Sequence, residues 1–448
     1  MLNGAAGDDH QLTRRPRLRF APAPTGLPHL GTARTALFNW LYARHCGGEM
    51  VLRIEDTNAE LATAAHIDQI LEMLSWLGLD FDGAPVFQSQ RGALYHAAVD
   101  RWLDEGRAYV DDGAVRFAVP DEGATSFDDI VRGRVEFPNA SIDDFVVRRS
   151  DGSATFFVAN AVDDLDLGIT HVVRGEDLLN TTPKVVLLRA ALDATDMPTF
   201  AHLPLIVNKQ RKKLSKRRDD VSLTSYRDQG VLPEAMVNYL ALLGWGPPDD
   251  VEVRPLDEIV DLFDLADVNA APAMFDLDKL TAINGEYLRA LDDAGFAAAV
   301  APWVRAEPWG ADLDAATLSK VAPLIRERTR LLGDAPDRIA FLFAEPRIDP
   351  DDWAAAMTAP ASDILDRART AFAESDWSAA TLHSELRAIG ESFGLKLGKA
   401  QAPVRVATTG RAVGPPLFES LTLLGREATL ARLDAALAML ARAADFGE

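Results

Sequence analysis

Arg19-Phe-Ala-Pro-Ala-Pro-Thr-Gly-Leu-Pro-His29-Leu-Gly31-Thr-Ala-Arg-Thr-Ala-Leu-Phe-Asn-Trp-Leu41 is the stretch on which the reading of the chain turns. Leu18 to Ala21 have an extended pattern. Pro22 and Pro24 then restrict φ and remove two backbone donors, and Gly26 lets the chain turn where a side chain would obstruct. From Leu30 the apolar residues Leu30, Ala33, Leu37, Trp40 and Leu41 recur at spacings of three and four, which predicts a helix with one buried face. His29 and Gly31 stand at the start of that helix. Unpaired amides and the positive end of the dipole favour an anion there, and Gly31 leaves room for a phosphate to approach the backbone. Strand, glycine turn and helix are common to α/β proteins, and a histidine beside a turn serves structure as readily as chemistry. The stretch alone therefore argues for an α/β fold and only nominates a site.

A second stretch adds weight. His202-Leu-Pro-Leu-Ile-Val-Asn208 reads as a strand running into Lys209-Gln-Arg-Lys-Lys213-Leu-Ser215-Lys216-Arg-Arg218, in which seven of ten residues are Lys or Arg. Basic runs are commonly solvated faces. This one is short, ends a strand and belongs to a chain of net charge −22, so its concentrated positive charge calls for an anionic partner.

Pro28-His29-Leu30-Gly31-Thr32 and Lys213-Leu-Ser215-Lys216-Arg217 resemble the HIGH and KMSKS signatures of class I aminoacyl-tRNA synthetases. Arg19-Phe-Ala-Pro, Arg53-Ile-Glu-Asp-Thr57, Asp163-Asp164, Gly168-Ile-Thr-His-Val-Val-Arg-Gly-Glu-Asp177 and Ala201-His-Leu-Pro resemble the glutamyl-tRNA synthetase family in particular, in order and over the chain from about residue 17. The resemblance implies activation of L-glutamate by ATP to an enzyme-bound adenylate, then transfer to the terminal ribose of tRNA, expected to be tRNA-Glu. It also implies an α/β, Rossmann-type catalytic domain with a β-rich insertion, followed by a helical stem-contact domain and an all-α anticodon-binding domain.

The remaining chain is consistent with that order. The first eighteen residues are mostly polar or basic and lack an apolar core, so residues 1–16 are expected to be a loose tail rather than a signal peptide. No run of about eighteen apolar residues occurs, and the expectation is a cytoplasmic protein with no membrane partner, acting as a monomer. One cysteine, Cys46, excludes an intrachain disulfide and a cysteine-cluster metal site. Net acidity argues against generic nucleic-acid affinity but not against a tRNA face built from local Lys and Arg. Residues 17–107 and 151–208 form the two halves of the catalytic domain in this reading. Met50 to Asp56 alternates as a strand, and Ala64 to Leu77 and Tyr95 to Gly106 read as amphipathic helices. Glu55, at that strand's end, is a candidate for the substrate's amino group or an acidic helix-start residue before Thr57-Asn58.

Residues 108–150 alternate as strands, and the resemblance implies that they are the connective insertion, shortened here, where relatives commonly carry a longer segment, in some cases with zinc-binding cysteines. No zinc is expected. Thr155 to Asn160 reads as strand, and Ile169 to Val173 as a core strand ending in Arg174. An arginine there can fork onto a carboxylate, or instead pair with Glu176 or Asp177. Pro183 to Leu192 reads as a helix. Residues 209–300 hold the basic loop and stem-contact helices, including one opened by Pro233 and closed by Gly244. Residues 301–448 are Ala- and Leu-rich and helical, with breaks expected at Pro323, Pro346, Pro360, Pro403 and Pro415-Pro416. Gly398 to Arg405 and Gly410 to Phe418 carry the likeness to an anticodon-binding domain, although a helical bundle for oligomerisation has the same composition.

The expected site follows from charge. Pro28, His29, Gly31, Thr32, Lys213, Ser215 and Lys216 are assigned to ATP, with His29, Lys213 and Lys216 catalytic through charge stabilisation. Mg²⁺ is expected with ATP, held by phosphates and water. By resemblance, Arg19, Ala21, Ala23, Glu55, Phe156, Asn160 and Arg174 line the glutamate pocket. Relatives usually have Ser at 23 and Tyr at 156, so two hydroxyls are absent here. A diverged paralogue using a related amino acid, tRNA or carrier, and a non-catalytic tRNA-binding protein, stand as alternatives.

Overall fold

The computed structural model describes residues 15–58, 60–214 and 222–445. Of these, the residues up to Arg227 with Leu232–Ile283 form one compact unit, and Asp228–Val231 with the chain from Asn284 onward form a second. The division falls within the stretch 209–300 expected to hold the stem-contact domain.

The first unit is built on parallel strands. β1 (Arg17–Phe20) leads through the proline turn into α1 (Leu30–His45), and β2 (Glu49–Ile54) returns beside it in the register Arg17↔Glu49 to Phe20↔Leu52. β3 (Val86–Phe87) adds to the far side of β2, after α2 (Ala64–Trp76) and before α3 (Gly92–Asp104). α1 is buried nearly all round, not on one face: Arg34, Ala36, Phe38 and Asn39 are as buried as Leu30, Ala33 and Leu37. The reason is that the sheet covers one side of it and later helices the other.

Residues 108–150 are β-rich but do not make one separate body. β4 (Ala108–Asp111), β5 (Ala114–Phe117) and β8 (Phe145–Arg148) form a small antiparallel sheet. Its inner residues Val115, Phe117, Phe145 and Val147 pack in one core with Tyr95, Trp102, Val158 and Val185. Asp112 and Gly113, with φ of 47° and 77°, close the β4–β5 hairpin by the two-residue turn that left-handed backbone allows. The other hairpin, β6 (Ala124–Asp129) with β7 (Gly133–Pro138), joins a parallel sheet at its edge.

The stretch Thr155 to Asn160, expected as strand, is instead the start of helix α4 (Phe156–Asp166), with Thr155 as its N-cap residue. Phe156-Phe157-Val158 is an aromatic and β-branched run that imitates a strand, while Asn160, Asp163 and Asp164 are buried in the helix beside apolar residues. β9 (His171–Gly175) and, after α5 (Thr182–Ala191), β10 (Thr199–Leu203) pair in parallel, giving the order β7-β6-β10-β9. Pro204 then splits the expected strand 202–208, and β11 (Ile206–Val207) pairs with β12 (Ala273–Met274) in a different sheet. The helices α6 (Leu223–Asp228), α7 (Pro233–Leu242) and α8 (Leu256–Leu262) follow, α7 and α8 being the ones that cover α1, and the division between the units falls inside α9 (Leu277–Ala290).

β9 runs beside β1, tied at its start by Thr170 N donating to Arg17 O at 2.9 Å. Farther along no strand ladder joins them. The carbonyl of Val173 accepts from the side chains of Asn39 at 3.1 Å and Arg19 at 3.4 Å in place of backbone. The sheet is therefore parted at the carboxyl ends of its two halves, where ligands enter open α/β sheets.

The second unit is helical throughout its larger part. Its core joins Ile364, Phe372, Leu386, Val404, Leu421 and Leu433 from helices that include Ala361–Glu374, Ala379–Ser392 and Leu397–Thr409. Pro403 lies inside Leu397–Thr409 rather than at a break, the helix tolerating one missing donor.

Candidate active site

The proline turn delivers His29 as the N-cap of α1. Its backbone is extended, and its ring Nδ1 accepts from the amides of Gly31 at 3.1 Å and Thr32 at 3.2 Å. A nitrogen that accepts two N–H groups carries no proton, so the ring proton sits on Nε2, 3.3 Å from Thr32 Oγ1. This corrects one expectation. The amides expected to face a phosphate are taken by the His29 ring itself. A Cβ on Gly31 would stand 3.1 Å and 3.2 Å from that ring, so glycine makes room for histidine. Pro28 is buried and His29 exposed.

The described part of the basic stretch, Lys209 to Leu214, lies by the carboxyl end of β9. β11 continues into a hairpin in which Asn208 Oδ1 accepts from the amides of Gln210 and Lys212, and Leu214 N returns to Ile206 O at 3.1 Å. Lys213 Nζ lies 3.2 Å from Asp177, both half-exposed. On the far side of the loop, Ser222 pairs its backbone with His29. Ser215 and Lys216 lie outside the described residues.

Beneath the turn is a buried charge network. Arg53 is fully buried and donates to Asp164 at 2.6 Å, Asn160 Oδ1 at 2.6 Å and Glu55 at 3.0 Å. Arg19 adds a bond from Nε to Asp164 at 3.1 Å. Asp163 is held by Gln88, Arg91 and Tyr95. Burial alone would raise the Asp164 pKa, but the charges of Arg19 and Arg53 outweigh it and hold the carboxyl below its ordinary range. Glu55 is fixed to the turn by its amide, which donates to Pro22 O at 3.0 Å. No helix starts at Glu55, since α2 begins at Ala64, so the helix-start alternative falls. Asn160 spends its Oδ1 on Arg53 and its Nδ2 on Phe156 O. Phe156 is half-buried, edge-to-face with Phe157, while Ala21 is half-buried and Ala23 exposed on the turn.

Arg174 differs from the other two arginines. It is buried, yet among the described residues no carboxylate pairs with it, and Glu176 and Asp177 go instead to Arg132 and Lys213. Its Nη2 donates to Thr182 Oγ1 at 2.8 Å and its Nε to His202 Nε2 at 3.3 Å. Burial, followed by the like charge of Arg19, pushes its pKa down to about 10. His202 is in turn bonded through Nδ1 to Asp129 at 2.6 Å. Neither His202 nor Asp129 was nominated from the sequence. A histidine within an apolar strand between Phe200 and Leu203 was the available signal, whereas Asp129 in its acidic hairpin gave none.

A parted parallel sheet, with a histidine-capped helix and a basic hairpin meeting at its carboxyl edge, defines the catalytic half of a class I tRNA synthetase. The family described as tRNA synthetases class I (E and Q), catalytic domain, matches residues 16–114 and 112–282, and the anticodon binding domain family matches 295–437. The chain is 50% identical over 456 residues to a glutamate–tRNA ligase of Frankia casuarinae, covering 94% of this chain and 97% of that one. It is 47% identical to that of Thermobifida fusca, covering 96% and 99%. A crystal structure of the glutamate tRNA ligase of Elizabethkingia meningosepticum, in complex with its amino acid, superposes with a TM-score of 0.83 at 29% identity, over 95% of this chain and all of that one. The chain belongs to the glutamate–tRNA ligase family, whose members are ATP-dependent ligases of protein biosynthesis.

Proposed function

We propose that this protein activates L-glutamate with ATP and loads it onto tRNA-Glu, with Arg174 as the group that reads the substrate's side chain. The observation that carries the residue assignment is the buried, carboxylate-free Arg174. A buried guanidinium without a counter-charge is costly until an anion arrives. Glutamate's side-chain carboxylate satisfies it, and glutamine's amide does so only in part. Glu55, at the mouth of the network, is suited to the substrate ammonium, and Arg19 and Asn160 with Arg53 and Asp164 make the floor on which both are held. Ala21, Ala23 and Phe156 belong to the same pocket in this reading.

In the reaction the substrate's α-carboxylate oxygen forms a bond to the α-phosphorus of ATP while the bond to pyrophosphate breaks. Little covalent chemistry is asked of the protein, and the work is positioning and charge stabilisation. His29, protonated on Nε2, donates to a phosphate oxygen, next to Pro28, Gly31 and Thr32. Lys213 and Lys216, with Ser215, meet the charge that grows on the departing pyrophosphate. Mg²⁺, bound chiefly by phosphates and water, neutralises part of that charge. Among the described residues no three His, Cys, Asp or Glu side chains converge as a metal cage. The ribose hydroxyl of the tRNA terminus then attacks the adenylate's carbonyl and releases AMP.

The test is aminoacylation of total tRNA, with adenylate formation measured in the presence of tRNA, each amino acid being supplied separately. Glutamate alone is expected to support both. Preference for another amino acid would replace this reading by the diverged paralogue, and tRNA binding without charging would replace it by the non-catalytic one. The expectation of a cytoplasmic monomer stays part of the proposal and is checked by light scattering on the purified chain and by cell fractionation.

A further inference from the structure

We infer that Asp129 and His202 are positioning residues that aim Arg174 at the substrate without neutralising it. The inference rests on the reading of Arg174 given above. Asp129 and His202 have no exposed side-chain surface. The carboxylate accepts the amides of Val131 at 3.0 Å, Arg132 at 2.9 Å and His202 at 3.1 Å, which pins it in the turn that ends β6. An ionised carboxylate so held can only accept, so His202 Nδ1 must carry its proton toward it. His202 Nε2 is then a bare acceptor. It faces Arg174 Nε at 3.3 Å and Thr182 Oγ1 at 2.9 Å. Strand register enforces the meeting, because His202 and Arg174 are partners across the β10–β9 ladder.

The consequence for the guanidinium is geometric. Its Nε is engaged by His202 and its Nη2 by Thr182 at 2.8 Å and the carbonyl of Leu178 at 3.4 Å, and a carboxylate is therefore met chiefly through the protons of Nη1. The chemistry of the anchor matters equally. Had a carboxylate stood at position 202, it would have paired with Arg174 and competed with the substrate. A neutral imidazole orients the fork, and the negative charge that orients the imidazole is kept one residue farther away, on Asp129. The hairpin of the β-rich insertion thus supplies a residue that acts on amino-acid recognition through His202.

Three variants of the full-length protein test this, with KM for glutamate, KM for ATP and kcat measured in the presence of tRNA. His202→Leu removes both the donor to Asp129 and the acceptor toward Arg174, whereas His202→Gln, of similar size, carries an amide N–H that can meet Asp129 and an amide oxygen that can accept from Arg174. Leucine is expected to raise the glutamate KM at least ~10-fold and glutamine to restore it to within ~3-fold of wild type, with the ATP KM and kcat changed by no more than ~2-fold. Thr182→Val leaves the Asp129–His202 pair intact, removes the other anchor, and is expected to raise the glutamate KM ~3- to 10-fold. If His202→Leu fails to fold, Asp129→Asn decides, since it keeps the shape but removes the charge that fixes the proton of His202 on Nδ1, and it is expected to raise the glutamate KM with the ATP KM unchanged. An unchanged glutamate KM in the folded variants, or equal losses in every parameter without rescue by glutamine, overturns the inference. Arg174→Ala separates the two layers. If it leaves glutamate use intact, the reading of Arg174 is wrong. If it abolishes glutamate use while the His202 and Thr182 variants behave as wild type, only the positioning role is wrong.

Discussion

Replacing Asp164 by asparagine removes one charge from the floor of the site at nearly constant volume, so the effect is electrostatic and not a cavity. The carboxylate lies 3.1 Å from Arg19 Nε and 2.6 Å from Arg53 Nη1, and the three side chains are 4%, 3% and 0% exposed. At an effective dielectric constant of about 20, one ion pair at such a separation is worth about 5 kcal/mol. Part of that is already offset by desolvation. Breaking a buried pair by removing one partner costs about 3–5 kcal/mol, and among the described residues Glu55 and Asp163 remain as the other acids bonded or close to Arg53. The expected loss is therefore about 3–5 kcal/mol in the first compact unit. With a denaturant slope of about 2–3 kcal/mol per M, the urea midpoint falls by roughly 1–2 M. Because the chain holds two units, the transition should be followed locally, by hydrogen exchange of peptides from β1, β2 and α4 across a urea series. A midpoint within about 0.3 M of wild type, or less than about 1 kcal/mol, would refute the claim that Asp164 is the principal counter-charge of both arginines.

Gly31→Ala is expected to displace the His29 ring, since the new Cβ would stand 3.1 Å from it; adenylate formation should fall by about 10- to 100-fold, in proportion to one misplaced charge stabiliser, with the unfolding midpoint little changed. Arg174→Lys keeps the charge but has no fork, and should lower kcat/KM for glutamate by about 10- to 100-fold, the loss of one charge-assisted hydrogen bond of about 1.5–3 kcal/mol. Burial depresses the pKa of His171 and His202 below their ordinary 6.5, so the unfolded chain binds more protons as pH falls through that value, and stability present above about pH 6.5 should be lost on acidification. Asp129 and Asp164, held below their ordinary 3.8 by His202 and by Arg19 and Arg53 against the opposing effect of burial, add a second loss below about pH 4, visible as two stages in denaturation midpoints across a pH series.

What the sequence made legible was local. The β1–turn–α1 unit could be read because proline, glycine and a spacing of three and four act within a few residues, and the observed helix starts at Leu30 as expected. Helix α4 could not, because an aromatic pair before Val158 imitates a strand and the polar residues of the helix are buried with the apolar ones. The pocket followed the same division. Arg19, Glu55 and Arg174 sit at strand ends, where the chemistry of their position is visible in one dimension. Their partners do not: Asp164 comes to Arg53 across 111 residues, and Asp129 to His202 across 73. At Gly31 the amides the sequence offered to a ligand are taken by a neighbouring side chain, an arrangement that motif spacing does not show.

The β4–β5 turn at Asp112-Gly113 has a bearing on how this enzyme can be re-engineered. It ends a hairpin whose tip is exposed and whose strands are paired only within the small antiparallel sheet. Extra chain grafted between these two residues would leave both sheets in register, since exposed loop tips are where insertions are accommodated. A deletion cut a few residues farther on would fare otherwise. Removing β6 takes with it the carboxylate behind the imidazole. The insertion is thus open to elaboration at one end and closed to trimming at the other, and a longer relative's segment can be transplanted here at a single splice site.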